Sequence, residues 1–288
     1  MSDEAGLEAF FAKAESREPL LRAALGFVPM QARPTFKAWT GLLAELRECA
    51  FELSDPRVTA LKAGWWAEEL DGMARGAARH PLGRALLARD LPRAPEAWAA
   101  AAAALPVVAS DIDPAPDTDA ALDALRPLAA ALIAIERALF GATLDRAIVS
   151  SAPDRDDGAQ GRALALHWLR HRLECGLEGA DRARVPLALF ARHGLRRERL
   201  ASPEAAALRR DWAAQLSAEA EALLAARTGG WPYPRLLSLA SDRRALAAFA
   251  AGREAASGRM QSFLDVARAW RLARNAALQP RPAVASPT

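Results

Sequence analysis

Leu166, Leu169, Leu173 and Leu177 recur at the period of an α-helix, and beside them run His167, His171, Glu174 and Glu178, with Cys175 next to Glu174. Side chains three and four apart share a helix face, so the stretch from Arg162 reads as one helix with an apolar flank and a titratable flank. Gly176 and Gly179 then loosen it into a basic turn, Arg182 and Arg184, followed by Val185-Pro186-Leu187. Such a helix either turns its polar flank to water or lines the interior of a helical bundle with it.

The same period continues through most of the chain. One or two short helices are expected within 3–25, and a long one over 35–53 with Phe36, Trp39, Leu42, Leu43 and Leu46 inward. Ser54-Asp55-Pro56 combines an N-cap with proline at the first helical position, so a new helix starts there and stops near Gly76. His80-Pro81 opens a short helix through Leu91, and 94–109 is helical. Asp111, Asp113, Asp117 and Asp119 form an acidic loop with Pro114 and Pro116. That loop lacks the glycine and the terminal glutamate of an EF-hand and reads as a capped turn. Further helices are expected over 118–140 with a bend at Pro127, 189–193 closed by Gly194, 203–227, 233–250 and 254–276, with a loop over 150–158. β-branched clusters are almost absent, so the predicted fold is all-α, one domain over 1–278 with a disordered Pro-rich tail over 279–288.

Charge excludes one class of partner. The pI of about 9.3 suggests nucleic acid. Yet only three basic residues are lysines (Lys13, Lys37 and Lys62), and 35 acids are interspersed among the 38 bases. No basic stripe carries interleaved aromatics, so no nucleic-acid partner is expected. Two cysteines, Cys49 and Cys175, are too few for a disulfide framework and fit a reducing compartment. The start, MSDEAGLEAFF, has no basic and apolar leader pattern, and the alanine-rich run 97–109 is shorter than the ~20 residues of a spanning helix. The expectation is a cytoplasmic protein without a transmembrane segment, with peripheral membrane contact left open. The eight tryptophans fall mostly on apolar helix positions and read as core.

Several runs share the layout of a known family. Phe27-Val28-Pro29 with Arg33, Trp65-Trp66 before Glu68-Glu69-Leu70, His80-Pro81, the 162–187 stretch and Leu189 to Leu195 together resemble the squalene and phytoene synthases. These are the head-to-head prenyl-diphosphate condensing enzymes, and the resemblance covers most of 20–276. It implies an isoprenoid-synthase-like bundle in which the helices at 35–53 and 160–178 face each other across a central cavity. In that family each of two facing helices carries carboxylates about one turn apart, which hold magnesium, and magnesium draws charge off the diphosphate. Aligned through Leu169-Arg170 and Pro186, the second pair of aspartate positions falls on His171 and Cys175. The first cluster belongs in 46–53, where Glu48 and Glu52 stand four apart with Glu45 just before.

Histidine and thiol are poor magnesium ligands. The resemblance therefore implies a member that kept the fold and lost the magnesium-dependent condensation. Its degenerate motif positions are Glu48, Glu52, His171 and Cys175; no catalytic residue and no cofactor are expected. What it retains is isoprenoid-diphosphate, lipid or anion binding at Arg182, Arg184, His167, Glu174 and Glu178, or an assembly or regulatory role with a protein partner. Degenerate relatives of the family are associated with assembly of respiratory complex I. The alternative is an active isoprenoid-biosynthesis prenyltransferase on farnesyl or geranylgeranyl diphosphate, with Mg2+ on shifted ligands Glu48, Glu52, Glu174 and Glu178. Two readings from the residues alone stand beside these. Glu48 and Glu52 also fit a solvated helix face paired with Arg47. His167, His171 and Cys175, at four-residue steps, present soft ligands of a transition-metal centre, although no second ligand group is apparent.

Overall fold

The described residues of the computed structural model, which are 3–18, 20–26, 28–87, 93–144, 157–226, 231 and 233–253, hold twelve α-helices and no strand. In chain order they are α1 (Asp3–Arg17), α2 (Leu20–Leu25), α3 (Arg33–Arg47), α4 (Pro56–Ala74), α5 (Pro81–Leu86) and α6 (Pro95–Ser110). Then come α7 (Thr118–Asp123), α8 (Arg126–Leu144), α9 (Asp157–Cys175), α10 (Leu187–His193), α11 (Ala206–Ala226) and α12 (Tyr233–Ala250). α4 packs on α6, α6 on α8 and α8 on α9; α11 and α12 pack on each other and on α9, while α1 and α5 cover α3. α9 thus has neighbours all round, and Ala163 to Leu166, Trp168, Leu169 and Leu173 are buried. The all-α class read from the sequence is what folds. No helix among the described residues is long and apolar enough to cross a membrane.

Local signals placed most boundaries. The Asp55 carboxylate accepts from the Arg57 N–H at 2.8 Å and Pro56 opens α4; such a cap is worth about 1 kcal/mol. The His80 ring accepts from the Leu82 N–H at 3.2 Å to start α5. Asp117 caps α7 by accepting from the Ala120 N–H at 2.9 Å, so the acidic loop is a capped turn. Gly194 closes α10 in the left-handed region at φ 61°.

Two expectations need correction. The single helix over 118–140 is two, because α7 ends at Asp123 and Pro127 is the second residue of α8 rather than a bend within one helix. Proline lacks the N–H that an interior position must donate, and the first turn of a helix does not need it. The helix over 35–53 is not α-helical to its end: after Arg47 it widens into one π-turn, Glu48–Glu52. The expected helix over 254–276, the tail, the last residues before Leu91 and most of the loop over 150–158 lie outside the described residues.

The tryptophan–acid run is a structural lock. Trp66 is buried and fills the contact between α4 and its neighbours, whereas Trp65 is 43% exposed. The His80 ring packs on Trp66 (centroids 4.9 Å apart) and on Phe10 (5.0 Å). Beneath it the fully buried Glu69 carboxylate accepts the N–H groups of Arg79 and His80, each at 2.8 Å. That fixes the chain between α4 and α5. Gly83 lets α5 approach: a Cβ there would stand 2.9 Å from both Glu69 Oε1 and the Ala78 Cβ.

Candidate functional site

The first acidic stripe is already neutralised by the protein's own cations. Lys13, from α1, reaches Glu45 at 2.6 Å and Glu48 at 2.8 Å. Lys62, from α4, reaches Glu48 at 2.5 Å and Glu45 at 3.6 Å. The π-turn carries Glu52 away to a second set, where it pairs with Arg17 and, at 2.8 Å, with Arg47. Burial would raise the Glu48 carboxyl, but hydrogen bonds from Lys13 and Lys62 outweigh it and hold the group at about 2. Glu48 and Glu52 are therefore neither a solvated face nor free metal ligands. A dication would have to expel two ammonium or guanidinium partners from each carboxylate, so magnesium does not fit this set as it stands.

The titratable stripe splits. His167 and His171 are buried on α9, Glu174 and Cys175 at its end are exposed, and Glu178 is exposed in the turn beyond, because the helix expected over 160–178 stops at Cys175. Between α9 and the π-turn lies the Arg47 guanidinium, only 2% exposed. It pairs with Glu18, from the link between α1 and α2, and lies 3.3 Å from His171 Nε2. Arg170 also points at His171 Nε2, at 2.8 Å, and pairs with Asp242 of α12 and with Glu174. His167 Nδ1 stands 3.0 Å from Asp242, and its Nε2 stands 3.4 Å from Glu18. One connected network thus runs from Glu52 through Arg47, Glu18 and His167 to Asp242 and Arg170. Burial works against charge on His167, but Asp242 and Glu18 raise its pKa above the usual value. Burial, then the charges of His167, Arg170 and Arg47, push His171 well below it, so His171 is neutral with Nε2 as an acceptor. Glu18 is held well below the carboxylate range, since His167 and Arg47 overcome its desolvation.

The two segments expected to face each other across a central cavity touch directly instead, and no central cavity is shown between them among the described residues. Besides the Arg47–His171 approach, the Phe51 and Trp168 rings stack at 5.2 Å. Next to this contact is a pocket of about 70 Å³ walled by α3, α8, α9 and α12, with Trp39, Phe140 and Leu164 among its apolar residues. Its polar wall includes Arg47, His167 and a buried pair in which Arg235 donates to Glu136 at 2.5 Å. Trp39 Nε1 donates to the same Glu136 oxygen at 3.0 Å. Small-molecule pockets usually begin at roughly 300 Å³, so this one holds a few waters or a small group.

The arginine turn lies elsewhere, and both of its guanidiniums donate to carbonyls of the protein itself. Arg184 is buried and donates to the Val108 carbonyl at 2.5 Å and the Asp111 carbonyl at 3.0 Å, with Asp111 Oδ2 at 3.3 Å. Arg182 is half-buried and donates to the carbonyls of Glu178 and Gly179. Arg182, Ala183 and Arg184 all take positive φ (47°, 55° and 54°), a costly run for residues with a Cβ. The turn persists because its surroundings fix it. Arg172 pairs with Asp181 at 2.6 Å, and its guanidinium crosses the backbone of Gly176 and Gly179, where any Cβ would collide with it.

Of the residues singled out in the sequence, His167 and His171 share one buried site, Glu48 and Glu52 adjoin it, and Cys175, Glu178, Arg182 and Arg184 do not enter it. Cys175 instead donates from Sγ to the His171 carbonyl at 2.9 Å. Sequence reasoning missed Glu18, Asp242, Glu136 and Arg235, and read Arg47 as exposed. Arg47 alone gave a signal, since it stands four residues, one turn, after Leu43, which the sequence places inward. Neither a protein-family model nor a curated protein matches the chain.

Proposed function

We propose that this chain is a squalene/phytoene synthase-like protein that no longer condenses prenyl diphosphates and acts by binding, in an assembly or regulatory role. The observation that carries this reading is Arg47, whose buried guanidinium stands between the two segments where the family resemblance would place magnesium and diphosphate. Lys13, Lys62 and Arg17 support it from the other side of Glu45, Glu48 and Glu52. Internal cations have taken over the charge compensation that metal ions supply in a working site. Ionising an allylic diphosphate requires a cation that is free to follow the leaving group, and these are held by their own carboxylates. The pocket beside Arg47, at about 70 Å³, is too small for an isoprenoid chain, which favours the assembly or regulatory role over carriage at this place.

The test is diphosphate release from farnesyl and geranylgeranyl diphosphate with and without Mg2+. The expected result is no magnesium-dependent release above the protein-free background. Robust turnover that disappears in Glu48→Gln or Glu174→Gln would establish the active prenyltransferase with shifted ligands instead.

A further inference from the structure

We infer that Glu18, His167 and His171 form a binding site for a borderline transition-metal ion, zinc in the first place. This goes beyond the reading above and does not depend on it. One donor atom from each residue lies within 4.8 Å of the other two. His167 Nε2 is 3.4 Å and His171 Nε2 is 3.9 Å from Glu18 Oε1. Donors around tetrahedral zinc stand about 3.3 Å apart, the edge that follows from bonds of about 2.0–2.1 Å. The three groups therefore need only small side-chain shifts to close on an ion. Two histidines four apart on one helix face can present both Nε2 atoms to one point. Here the rings cross at 78° with centroids 4.5 Å apart. Asp242 holds His167 Nδ1 and so aims Nε2 at Glu18, the carboxylate–histidine arrangement that orients metal-ligating imidazoles.

Two arginines compete for the same lone pairs, and an entering ion must also displace to solvent the proton that His167 Nε2 shares with Glu18. Arg47 reaches Glu18 and His171, and Arg170 reaches His171. Each has another partner to keep when an ion enters: Glu52 for Arg47, Asp242 and Glu174 for Arg170. Imidazole and carboxylate donors suit zinc, whereas magnesium demands an oxygen shell that this site lacks. Cys175 is not in the set, which differs from the His167–His171–Cys175 grouping suggested by spacing. Three protein donors leave one coordination position to be filled, and Glu18 and His167 both line the pocket.

The experiment is titration of metal-free protein with Zn2+ against a chromophoric chelator, and with Co2+ followed by visible absorption. One equivalent per chain is expected, unchanged by Cys175→Ser. Glu18→Gln and His171→Ala should each weaken binding at least tenfold, and Asp242→Asn, which removes no ligand, by about 10–100-fold. Circular dichroism of each variant checks folding; if His171→Ala does not fold, the near-isosteric Glu18→Gln and Asp242→Asn decide the matter. Wild-type protein that binds no stoichiometric Zn2+ or Co2+, or binding unmoved by these two variants, overturns the assignment.

Discussion

Arg47→Ala is expected to destabilise the protein by about 3–5 kcal/mol, the cost of leaving a buried charge without its partner. The substitution removes the guanidinium that joins Glu18 to Glu52 and fills the space beside His171. Glu52 keeps Arg17 and Glu18 keeps His167, so the loss is that of one buried partner and not of the whole network. Arg75→Ala is the control, since its ion pair with Asp71 is exposed and contributes little. Urea unfolding curves of the two variants and the wild type measure this. An Arg47→Ala midpoint equal to that of Arg75→Ala would mean that the network contributes nothing to the fold.

Trp66→Ala should cost a similar amount, about 3–5 kcal/mol, because it empties a fully packed site between α4 and its neighbours. Trp66 is 2% exposed and carries the His80 ring, so the cavity would also loosen the Glu69 lock before α5. Trp65→Ala, at a position 43% exposed, should lose much less. Thermal unfolding separates them: equal midpoints for the two variants would contradict the packing described for this helix pair.

Helices were legible wherever one local signal sufficed. Asp55-Pro56, His80-Pro81 and Gly194 each place a cap or a break through residues adjacent in sequence, and their geometry is as expected. The break between α7 and α8 was misplaced because apolar residues continue in phase through Leu122, Leu125 and Leu128, and only the first-turn preference of Pro127 marks the restart. The π-turn at Glu48–Glu52 has no periodic signature of its own; it is one extra residue per turn, indistinguishable from α spacing over five positions.

The candidate site was half legible for a related reason. His167 and His171 announce a shared face through their spacing, but spacing does not say whether a polar stripe meets water or a neighbouring helix. Their partners come from 75 residues downstream at Asp242 and from a short link at Glu18, and nothing local distinguishes those acids from the other acids in the chain. The two groups expected to bind anions, Arg182 and Arg184, instead anchor a turn, which only the positions of Asp111 and the Val108 carbonyl reveal.

The acidic stripe gives the sharpest solution measurement. A Glu48 carboxyl held at about 2 contributes stability that is present above its unfolded value of 4.5 and is lost as pH falls through about 2. Carboxyl-carbon NMR of the folded protein, titrated with acid in the absence and presence of millimolar Mg2+, follows this group directly. Internal compensation by Lys13 and Lys62 predicts that Glu48 stays ionised down to about 2 and that Mg2+ leaves its resonance and midpoint unmoved. A midpoint in the ordinary glutamate range, or a Mg2+-dependent shift at Glu48 and Glu52 together, would contradict it and return these carboxylates to the role of metal ligands.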